Sequence, residues 1–594
     1  MNIGYNYHPS IQGCHYWKIW DFDEIEADLR KMSEEGYQIV RFFIFWRDFE
    51  PEEGRFEPAS FARLRQFVET ADRYGLLCIP AILTIWMNGQ LFDLPWRMGR
   101  SLWTDSTMLT RQERFIGRVV TELAGFENIM AYDLGDEIVY IDFERETIHL
   151  EPEEVEHWLL RMSQAVKMAD PSARVVMGND HLSLIGRHHF SAEAIARHTD
   201  MLAVHGFPLW TPFLIESNES WKASLYVPYL VKLAQLYHSE VIVDEFGLYG
   251  ASDEKRAEYV RISGLSSYLH GAKGIVSWCW KDFSNQDKPY AMRPGERFVG
   301  FYDQYGQRKA GADAFLEVAK LARDLSFAVR PKSEVAIYVS EKFRDGNVNE
   351  LDTPQGNSSA LFHSFLLLTR LQVRHEFIST ELERYKVVIV PAPHHLTGTD
   401  LERLRNYVIQ GGIVLYTPGS YLHGFGGQDL FGVELDDYTL FPEQQAEFEW
   451  KDLIFRMDWK EAGFNQIPVI RETKAEVLAR FSNSGVPALT MNSYGEGHAF
   501  YLNAPMERIL HVPGRMEETN YGHIYRNILS FAGVISLPSF SSPAIEIHTL
   551  VSGAKESCIL LNHSPAEQTG VLALPDGTRQ ELRLAGKSIL YYEY

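Results

Sequence analysis

Two pairs of adjacent carboxylates follow apolar runs of strand length, and they are the side chains best suited to chemistry. The run AYDLGDEIVY contains Asp136 and Glu137, and the run VIVDEFG contains Asp244 and Glu245. An acid at the end of an apolar strand is poorly solvated, and its presence there indicates a functional role. Two glutamates that face one cleft can hydrolyse a glycosidic bond, because one protonates the leaving oxygen and the other attacks the anomeric carbon. The alternative is that each is a solvated loop charge or a partner of an arginine.

Other polar residues stand within or just after strand-like runs. Arg41 interrupts YQIVRFFIFW; a buried arginine is rare without a carboxylate partner, and a cation beside a nucleophilic carboxylate would keep it ionised. The alternative is that Arg41 pairs with a carboxylate on a neighbouring strand only as part of the packed core. His205, in LAVHGFP, is suited to bind a carboxylate or a sugar hydroxyl, unless it is a satisfied core histidine. Asn179 and Asp282 stand after two further runs and complete the polar candidates for substrate binding.

Aromatic residues accompany these polar candidates. In GIVSWCWKDF, strand alternation puts Trp278 and Trp280 on one face, with Trp280 nearer the carboxyl end. An indole can stack on a sugar ring, although tryptophan also serves as core filler. Further aromatic residues at loop positions are Tyr7, His15, Tyr16, Trp17, Trp46, Trp86, Trp96, Trp103 and Trp210. As a group they favour a carbohydrate site, and Tyr7 joins Trp280 as a candidate substrate-binding residue.

The elements that must position these residues alternate along the first half of the chain. Strand-like segments cover residues 2–7, 38–45, 76–83, 130–134, 174–177, 201–205, 241–245 and 274–280. Between them lie amphipathic stretches such as FDEIEADLRKMSEEG, with Ile25, Leu29 and Met32 at helical spacing. A doubly wound sheet would give the same alternation, but the count of eight predicts one parallel (β/α)8 TIM barrel over residues 1–328. The residues that end its strands would then share one mouth.

The rest of the chain predicts two further domains. The polar segment AVRPKSE separates the barrel from strand-like runs such as SEVAIYVS, YKVVIVPAP and GGIVLYTPG, which alternate with helical stretches. This pattern predicts a second, doubly wound α/β domain of the flavodoxin type over residues 333–535. The alternating, turn-rich pattern of residues 542–594 predicts a small antiparallel β domain.

Composition limits the function classes. The 594 residues are 45% hydrophobic and 23% charged, as in a folded protein, and the formal charge of −23 argues against nucleic acid or anionic lipid as a partner. No apolar run reaches the roughly 18 residues of a membrane helix, and the start does not resemble a secretion signal, so a cytoplasmic location is expected. The four cysteines stand far apart, which suggests neither disulfides nor a zinc site.

Beyond these patterns, the first barrel units resemble a known family. The run WDFDEIEADLRKMSEEGYQIVRFFIFWRDFEPEEGRFEPASFARLRQFVETADRYGLLCIP is similar to glycoside hydrolase family 42 β-galactosidases and their clan A relatives, most specifically at EPEEG and the preceding Trp46. The stretch GAKGIVSWCWKDF, together with PYAMRPGERFVGFYDQYGQRK after it, looks like the end of a clan A exo-acting barrel. Residues 333–535 resemble the amidotransferase-like domain that comes after the barrel in family 42 and mediates oligomer contacts there.

The resemblance implies roles for particular residues. It makes Glu137 the acid/base, Glu245 the nucleophile, Arg41 the arginine near that nucleophile, and Trp280 the floor of the sugar site. The metal-binding cysteine cluster of some members is missing, so no metal and no cofactor are expected. No cysteine lies between Cys279 and Cys558, so the second domain is expected to be inert as an amidotransferase. It is expected to serve as an interface in a homo-oligomer, a dimer or a trimer.

Two departures from the family pattern bear on the substrate. The family has Asn-Glu after strand four, where this chain has Asp136-Glu137, and it often has tyrosine after strand six, where this chain has His205. The asparagine normally binds the sugar 2-hydroxyl, whereas an aspartate would favour a cationic 2-ammonium group. The prediction is therefore a retaining, exo-acting β-glycosidase of short oligosaccharides, first a β-D-glucosaminidase. The alternatives are a β-galactosidase or β-mannosidase, an endo-glycanase, or a non-catalytic carbohydrate-binding barrel.

Overall fold

The computed structural model divides the chain into two compact units. The first comprises Met1–Trp210 and Tyr226–Ser326, and the second comprises Thr211–Leu225 and Phe327–Tyr594. The described residues are 1–186, 188–287, 290–326, 329, 331–344, 354–393, 396–419, 426–440, 445–459, 466–552 and 555–594. Within these ranges no helix is both long and apolar enough to cross a membrane.

Eight parallel strands form the barrel of the first unit. They are β1 (Asn2–Tyr7), β2 (Ile39–Phe45), β3 (Leu77–Thr84), β4 (Tyr132–Asp136), β5 (Val175–Gly178), β6 (Leu202–Gly206), β7 (Val241–Phe246) and β8 (Gly274–Ser277). Their hydrogen-bonded order is β5-β4-β3-β2-β1-β8-β7-β6. The ring closes between β5 and β6, where the His205 amide donates to the Asn179 carbonyl at 2.8 Å. All eight predicted strands are present, and the barrel is confirmed.

Helices alternate with the strands around the barrel. They are α1 (Phe22–Glu35), α2 (Trp46–Phe49), α3 (Pro58–Arg73), α4 (Ser106–Leu123), α5 (Pro152–Ala169), α6 (Leu182–Ile185), α7 (Ala192–Ala196), α8 (Trp221–Ala234), α9 (Asp253–Leu269) and α10 (Ala310–Asp324). Helix α1 shows how the sequence sets its bounds. The Asp21 side chain caps its first turn, Ile25, Leu29 and Met32 are buried, and Gly36 ends it with a φ of 95°.

An apolar plug fills the interior of the barrel. It consists of Ile39, Ile79, Ala131, Val176, Met201, Ala203, Ile242 and Val276. Six of these residues lie in β2, β3, β5, β6, β7 and β8, and Ala131 and Met201 lie just before β4 and β6. These residues stand in the amino-terminal or central part of each strand. The plug therefore closes the lower part of the barrel and leaves the carboxyl ends of the strands to polar side chains.

The second unit contains a sheet of seven strands. They are β9 (Val335–Tyr338), β10 (His375–Ile378), β11 (Val387–Val390), β12 (Ile413–Tyr416), β13 (Glu476–Arg480), β14 (Pro487–Tyr494) and β15 (Gly497–Leu502), in the order β10-β9-β11-β12-β15-β14-β13. The pairings β10-β9, β9-β11, β11-β12 and β12-β15 are parallel. The pairings β15-β14 and β14-β13 are antiparallel. Its helices are α11 (Pro354–Arg370), α12 (Gly398–Ile409), α13 (Gln428–Phe431), α14 (Met506–Ile509), α15 (Arg515–Glu518) and α16 (Gly522–Phe531).

The remaining strands of this unit are antiparallel. Val433–Leu440 pairs with Gln466–Glu472, and Gln445–Trp450 pairs with Leu453–Asp458. The last residues form two three-stranded sheets, which comprise Ser539–Phe540, Gln568–Ala573 and Arg579–Leu584, and Ile545–Ser552, Lys555–Asn562 and Ile589–Glu593. The predicted fold class, a barrel followed by α/β and then antiparallel β structure, is confirmed. The division at 333–535 and 542–594 stays a prediction.

Candidate active site

The carboxyl ends of the barrel strands surround a cavity of about 410 Å³. Its lining includes Trp86, Asp136, Glu137, Tyr140, Asp180, His205, Trp210, Glu245, Tyr249, Trp278, Arg293 and Glu296. The structure thus brings the two predicted glutamates to one cavity, together with Asp136 and His205. Arg41 lies directly beneath them and is fully buried.

Arg41 is the centre of a buried ion-pair network. Its Nη2 atom lies 2.6 Å from Asp136 Oδ1 and 2.7 Å from Asp133 Oδ2, and its Nη1 atom lies 3.3 Å from Glu245 Oε1. Nη1 also donates to Asn6 Oδ1 at 2.8 Å. Burial opposes the charge of the guanidinium, but Asp136, Asp133 and their neighbours hold the pKa of Arg41 well above its ordinary value. The site therefore contains a permanent cation in contact with Glu245.

His205 lies between the two glutamates. Its Nδ1 atom is 2.9 Å from Glu137 Oε1 and 3.6 Å from Glu245 Oε2, so those two oxygens cannot be further apart than the sum, about 6.5 Å. Its Nε2 atom lies 3.4 Å from Asp244 Oδ1. Burial opposes the charge of the imidazole, but Glu245 and Asp244 raise the pKa of His205 well above its ordinary value. A charged His205 can thus pair with both glutamates.

Burial and neighbouring charges shift the pKa values of both glutamates. Burial raises the pKa of Glu137, and a hydrogen bond from His205 opposes that rise. Burial raises the pKa of Glu245 well above its ordinary value, and Asp136 and Glu137 add to this rise, whereas His205 and Arg41 oppose it. Glu245 contacts the guanidinium of Arg41 at 3.3 Å, and among the described residues no hydrogen bond or ion pair joins Arg41 to Glu137. On this geometry we place the negative charge on Glu245 and the proton on Glu137.

This proton distribution predicts the alkaline limb of a pH profile. A general acid works only while it is protonated, so kcat/KM should fall as pH rises through the raised pKa of Glu137. The profile should be measured with a poor leaving group, and repeated with a dinitrophenyl glycoside, whose departure needs no proton and should shift the limb upward. An activity lost near the ordinary glutamate pKa of about 4.3 would contradict the assignment.

The predicted tryptophan floor needs a correction. Trp280 is fully buried and packs against Tyr302 with ring centroids 4.2 Å apart, so it belongs to the core. Trp278 lines the cavity instead. The prediction extends strand alternation to residue 280, but β8 ends at Ser277, and the two-residue period does not continue beyond it.

Three further predicted substrate-binding residues lie elsewhere in the barrel. The Tyr7 hydroxyl donates to Asp28 on α1 at 3.2 Å, so this side chain faces the helix layer. Asp282 pairs with Lys309 at 2.7 Å. The Asn179 side chain donates to the Met177 carbonyl at 2.8 Å. These partners hold the three side chains within the scaffold, and none of the three lines the cavity.

The aromatic candidates divide in the same way. Trp86 and Trp210 line the cavity. Trp46 donates to Glu50 at 2.9 Å, and the same buried carboxylate accepts the Gly54 amide at 2.7 Å. The EPEEG motif is therefore a structural turn. The others, His15, Tyr16, Trp17, Trp96 and Trp103, do not line the cavity.

Sequence reasoning misses several polar residues of the site. Asp133 lies inside β4, and a buried arginine needs more than one counter-charge; burial raises the pKa of Asp133 to about 6 against the lowering effect of Arg41. Two pairs at the cavity wall, Tyr140 with Asp180 and Tyr249 with Glu296, are missed as well. Each pair joins loops that follow two neighbouring strands, β4 and β5 for the first pair and β7 and β8 for the second. The sequence alone does not show that these strands are neighbours.

The site is better matched to ion pairs than to a metal ion. Asp136, His205 and Glu245 present possible ligand atoms within 4.8 Å of one another. The Arg41 guanidinium contacts both of these carboxylates, however, at 2.6 and 3.3 Å. A metal ion there would lie beside this charge and be repelled by it. The absence of a metal ion therefore stays a prediction, and the position of the Arg41 charge supports it.

A parallel barrel with two glutamates close together at its mouth has the paired carboxylates that glycoside hydrolysis uses. Comparison with known proteins finds β-galactosidases among the proteins to which the chain is similar. Residues 349–534 match the family described as "Beta-galactosidase trimerisation domain". The β-galactosidase BgaB of Geobacillus sp. (strain Y412MC61) is 24% identical over 356 residues, which cover 55% of this chain and 48% of that protein. The β-galactosidase LacZ of Heyndrickxia coagulans is 25% identical over 342 residues, 52% of this chain and 46% of the relative.

The chain thus spans about half the length of the curated relatives it matches. Solved structures align with a larger share of this chain. The exo-β-1,4-mannosidase Op5Man5 from Opitutaceae bacterium strain TAV5 superposes with a TM-score of 0.80 at 24% identity, over 89% of this chain and 96% of that one. Gan42B, a GH42 β-galactosidase, superposes with a TM-score of 0.71 at 16% identity, over 100% of this chain and 98% of that one. The resemblance to family 42 and its clan A relatives is confirmed.

Proposed function

We propose that the protein is a retaining, exo-acting β-glycosidase of short oligosaccharides. The observation that carries this proposal is the placement of Glu137 and Glu245 on either side of His205, with carboxylate oxygens no more than about 6.5 Å apart. Retaining enzymes hold their two carboxyl groups about 5 to 5.5 Å apart, and inverting enzymes hold them at about 6.5 to 9.5 Å. The upper bound leaves no room for the wider inverting separations.

The proposed reaction proceeds in two displacements. Glu245, kept anionic by Arg41, attacks the anomeric carbon while Glu137 protonates the leaving oxygen. Glu137 is then a base and activates a water molecule against the glycosyl ester on Glu245. His205 lies in contact with both carboxylates, so its positive charge favours whichever of them is anionic at each step.

A close approach of two loops beside the cavity supports exo action. A short hairpin of Trp86–Met87 and Gln90–Leu91 has Gly89 at its turn, with a φ of 75°. A Cβ atom at Gly89 would lie 2.3 Å from the Arg293 guanidinium. The hairpin and the loop after β8 therefore approach each other closely at this point and narrow the cavity there, which favours the end of a chain over the middle of a long polymer.

Three sugars are candidates for the residue that the enzyme releases. Asp133, Asp136, Asp244 and Glu245 all surround the guanidinium of Arg41, and His205 adds one further positive charge beside Asp244 and Glu245. This excess of negative charge favours a cationic 2-ammonium group and hence a β-D-glucosaminide. A β-mannoside is the second candidate, because the exo-β-1,4-mannosidase superposes over 96% of its own length. The β-galactosidases among the relatives make a β-galactoside the third.

A substitution at Asp136 tests the sugar. If Asp136 binds a 2-ammonium group, the charge-assisted bond should contribute about 1.5 to 3 kcal/mol, or roughly ten- to a hundredfold in kcat/KM. The wild type should then prefer p-nitrophenyl β-D-glucosaminide to the glucoside, galactoside and mannoside, and Asp136→Asn should flatten that preference. Asp133→Asn is the matched control, because Asp133 pairs with the same arginine but does not line the cavity.

The outcomes separate the possible roles of Asp136. An equal loss on every sugar in both variants would mean that Asp136 only neutralises Arg41, and would end the amino-sugar hypothesis. A wild type that hydrolyses the mannoside or galactoside fastest would end it as well, while leaving the retaining mechanism in place. No release of nitrophenol from any glycoside would contradict the proposed function itself.

The second unit predicts a homo-oligomer. Its match to a trimerisation domain covers residues 349–534 and supports a role in subunit contacts. Light scattering on the purified protein should give two or three times the chain mass of 68.3 kDa. A strict monomer at micromolar concentration would contradict this prediction.

A further inference from the structure

The wall of the cavity next to Glu137 carries a polar pair that the proposed mechanism does not use. Glu137 is followed directly by the single helical turn Ile138–Tyr140. The hydroxyl of Tyr140 donates to Asp180 Oδ2, and Asp180 stands just after β5. Tyr140, Asp180 and Glu137 all line the cavity, so this pair faces whatever the cavity binds.

Asp180 is a buried carboxylate without a cationic partner among the described residues. Its exposed fraction is 8%. Oδ1 accepts the Leu182 amide at 2.9 Å, and the nearest basic group is His181 Nδ1 at 3.7 Å. Burial lowers the pKa of His181, so this imidazole is neutral. A buried carboxylate is costly unless donors satisfy it, and this one is held in a fixed orientation with acceptor capacity left over.

The chemistry determines which part of a substrate lies here. A general acid must reach the oxygen that it protonates, so the leaving group of a glycoside sits on the side of the cavity that holds Glu137. Trp86 also lines this side, and its ring lies against that of Tyr140, with centroids 5.7 Å apart and planes inclined by 31°. The wall thus offers an aromatic surface beside an oriented acceptor, which is a combination that suits a sugar ring.

Resting on the proposed function, we infer that Asp180, Tyr140 and Trp86 form the subsite for the leaving group, and that this leaving group is itself a sugar. Its hydroxyls donate to Asp180, and its ring lies on Trp86. Tyr140 is a positioning residue in this arrangement, because its hydroxyl orients the carboxylate. The natural substrates are then disaccharides or short oligosaccharides, and not glycosides of simple alcohols.

The test compares three substrates that carry the sugar preferred by the wild type: a β-1,4-linked disaccharide, the methyl β-glycoside and the p-nitrophenyl β-glycoside. The wild type should hydrolyse the disaccharide with at least tenfold higher kcat/KM than the methyl glycoside. Asp180→Asn should lower kcat/KM for the disaccharide ten- to a hundredfold, largely through KM, and change the other two by less than about threefold. Tyr140→Phe should show the same pattern with a smaller loss, and it provides a second variant if Asp180→Asn folds poorly.

The methyl glycoside distinguishes binding from acidity. Its leaving group needs a proton as much as that of the disaccharide does, but it has no ring to fill the subsite. Equal losses on the disaccharide and the methyl glycoside would mean that Asp180 acts through Glu137, and would overturn the inference. Asp324→Asn, an exposed substitution at the end of α10, is the matched control and should leave all three rates unchanged. A wild type inactive on all three substrates would instead overturn the proposed function, and this inference with it.

Discussion

Replacing Glu245 with alanine should reduce the turnover of every glycoside to background, because it removes the carboxylate that is proposed to form the glycosyl ester. Glu137→Ala should behave differently. It loses the acid and the base, which is worth about 10² to 10⁴ in rate, but an activated p-nitrophenyl substrate still forms the ester slowly. Azide, which needs no general base, should then restore turnover and give the β-glycosyl azide.

Steady-state rates with and without azide, together with the identity of the product, test this pair of variants. Glu254→Ala is the control, since this residue is exposed in the first turn of α9. A wild-type rate in either unrescued variant would remove that residue from its proposed role. An α-glycosyl azide from Glu137→Ala would show that the azide attacks a substrate and not a glycosyl enzyme.

Arg41→Met should produce the largest loss of stability. Four carboxylates lie within 3.6 Å of the Arg41 guanidinium, and its removal leaves them buried without a cation. Breaking a buried ion pair in this way costs about 3 to 5 kcal/mol. The free energy of unfolding of the barrel, measured in urea, should fall by this amount at pH 7 and by less at pH 4, where protonation removes part of the repulsion.

An exposed arginine provides the comparison. Arg55 pairs with Glu52 at 3.0 Å, with both side chains about two-thirds exposed, and such surface pairs contribute about 0 to 1 kcal/mol. Arg55→Met should therefore leave the unfolding free energy nearly unchanged. Similar small losses in both variants would show that the network does not need Arg41. A loss in Arg41→Met that is equal at pH 4 and pH 7 would contradict its electrostatic origin.

Much of the barrel could be predicted because its strands are continuous apolar runs. Each predicted strand is present, with ends shifted by up to three residues. The roles of Glu137 and Glu245 rest on a simple signal as well, since each is an acid placed directly after such a run. Arg41 could be predicted to need a carboxylate, but its four further partners, Asn6, Asp133, Asp136 and Asp244, depend on how β1, β4 and β7 surround β2, which the sequence does not show.

The failures have physical causes. The choice of Trp280 over Trp278 fails because strand alternation does not extend past Ser277, where β8 ends. Tyr7 stands at a strand end, where side chains are expected to point toward the mouth, but it lies on the outer face, against Asp28. Asp180 and Tyr140 carry no signal in the sequence, since they meet only across the loops after β4 and β5.

The most direct test of the account is to trap the covalent intermediate. The enzyme should be incubated with a 5-fluoro β-glycosyl fluoride of its preferred sugar, which keeps the substituent at C2. The fluorine at C5 slows both displacements, and the fluoride leaving group restores the rate of the first. Mass spectrometry of the digested protein should then show one fluoroglycosyl group, on the peptide that contains Glu245. A label on another residue, or inactivation without any label while the first sugar product has inverted stereochemistry, would contradict the proposed retaining mechanism.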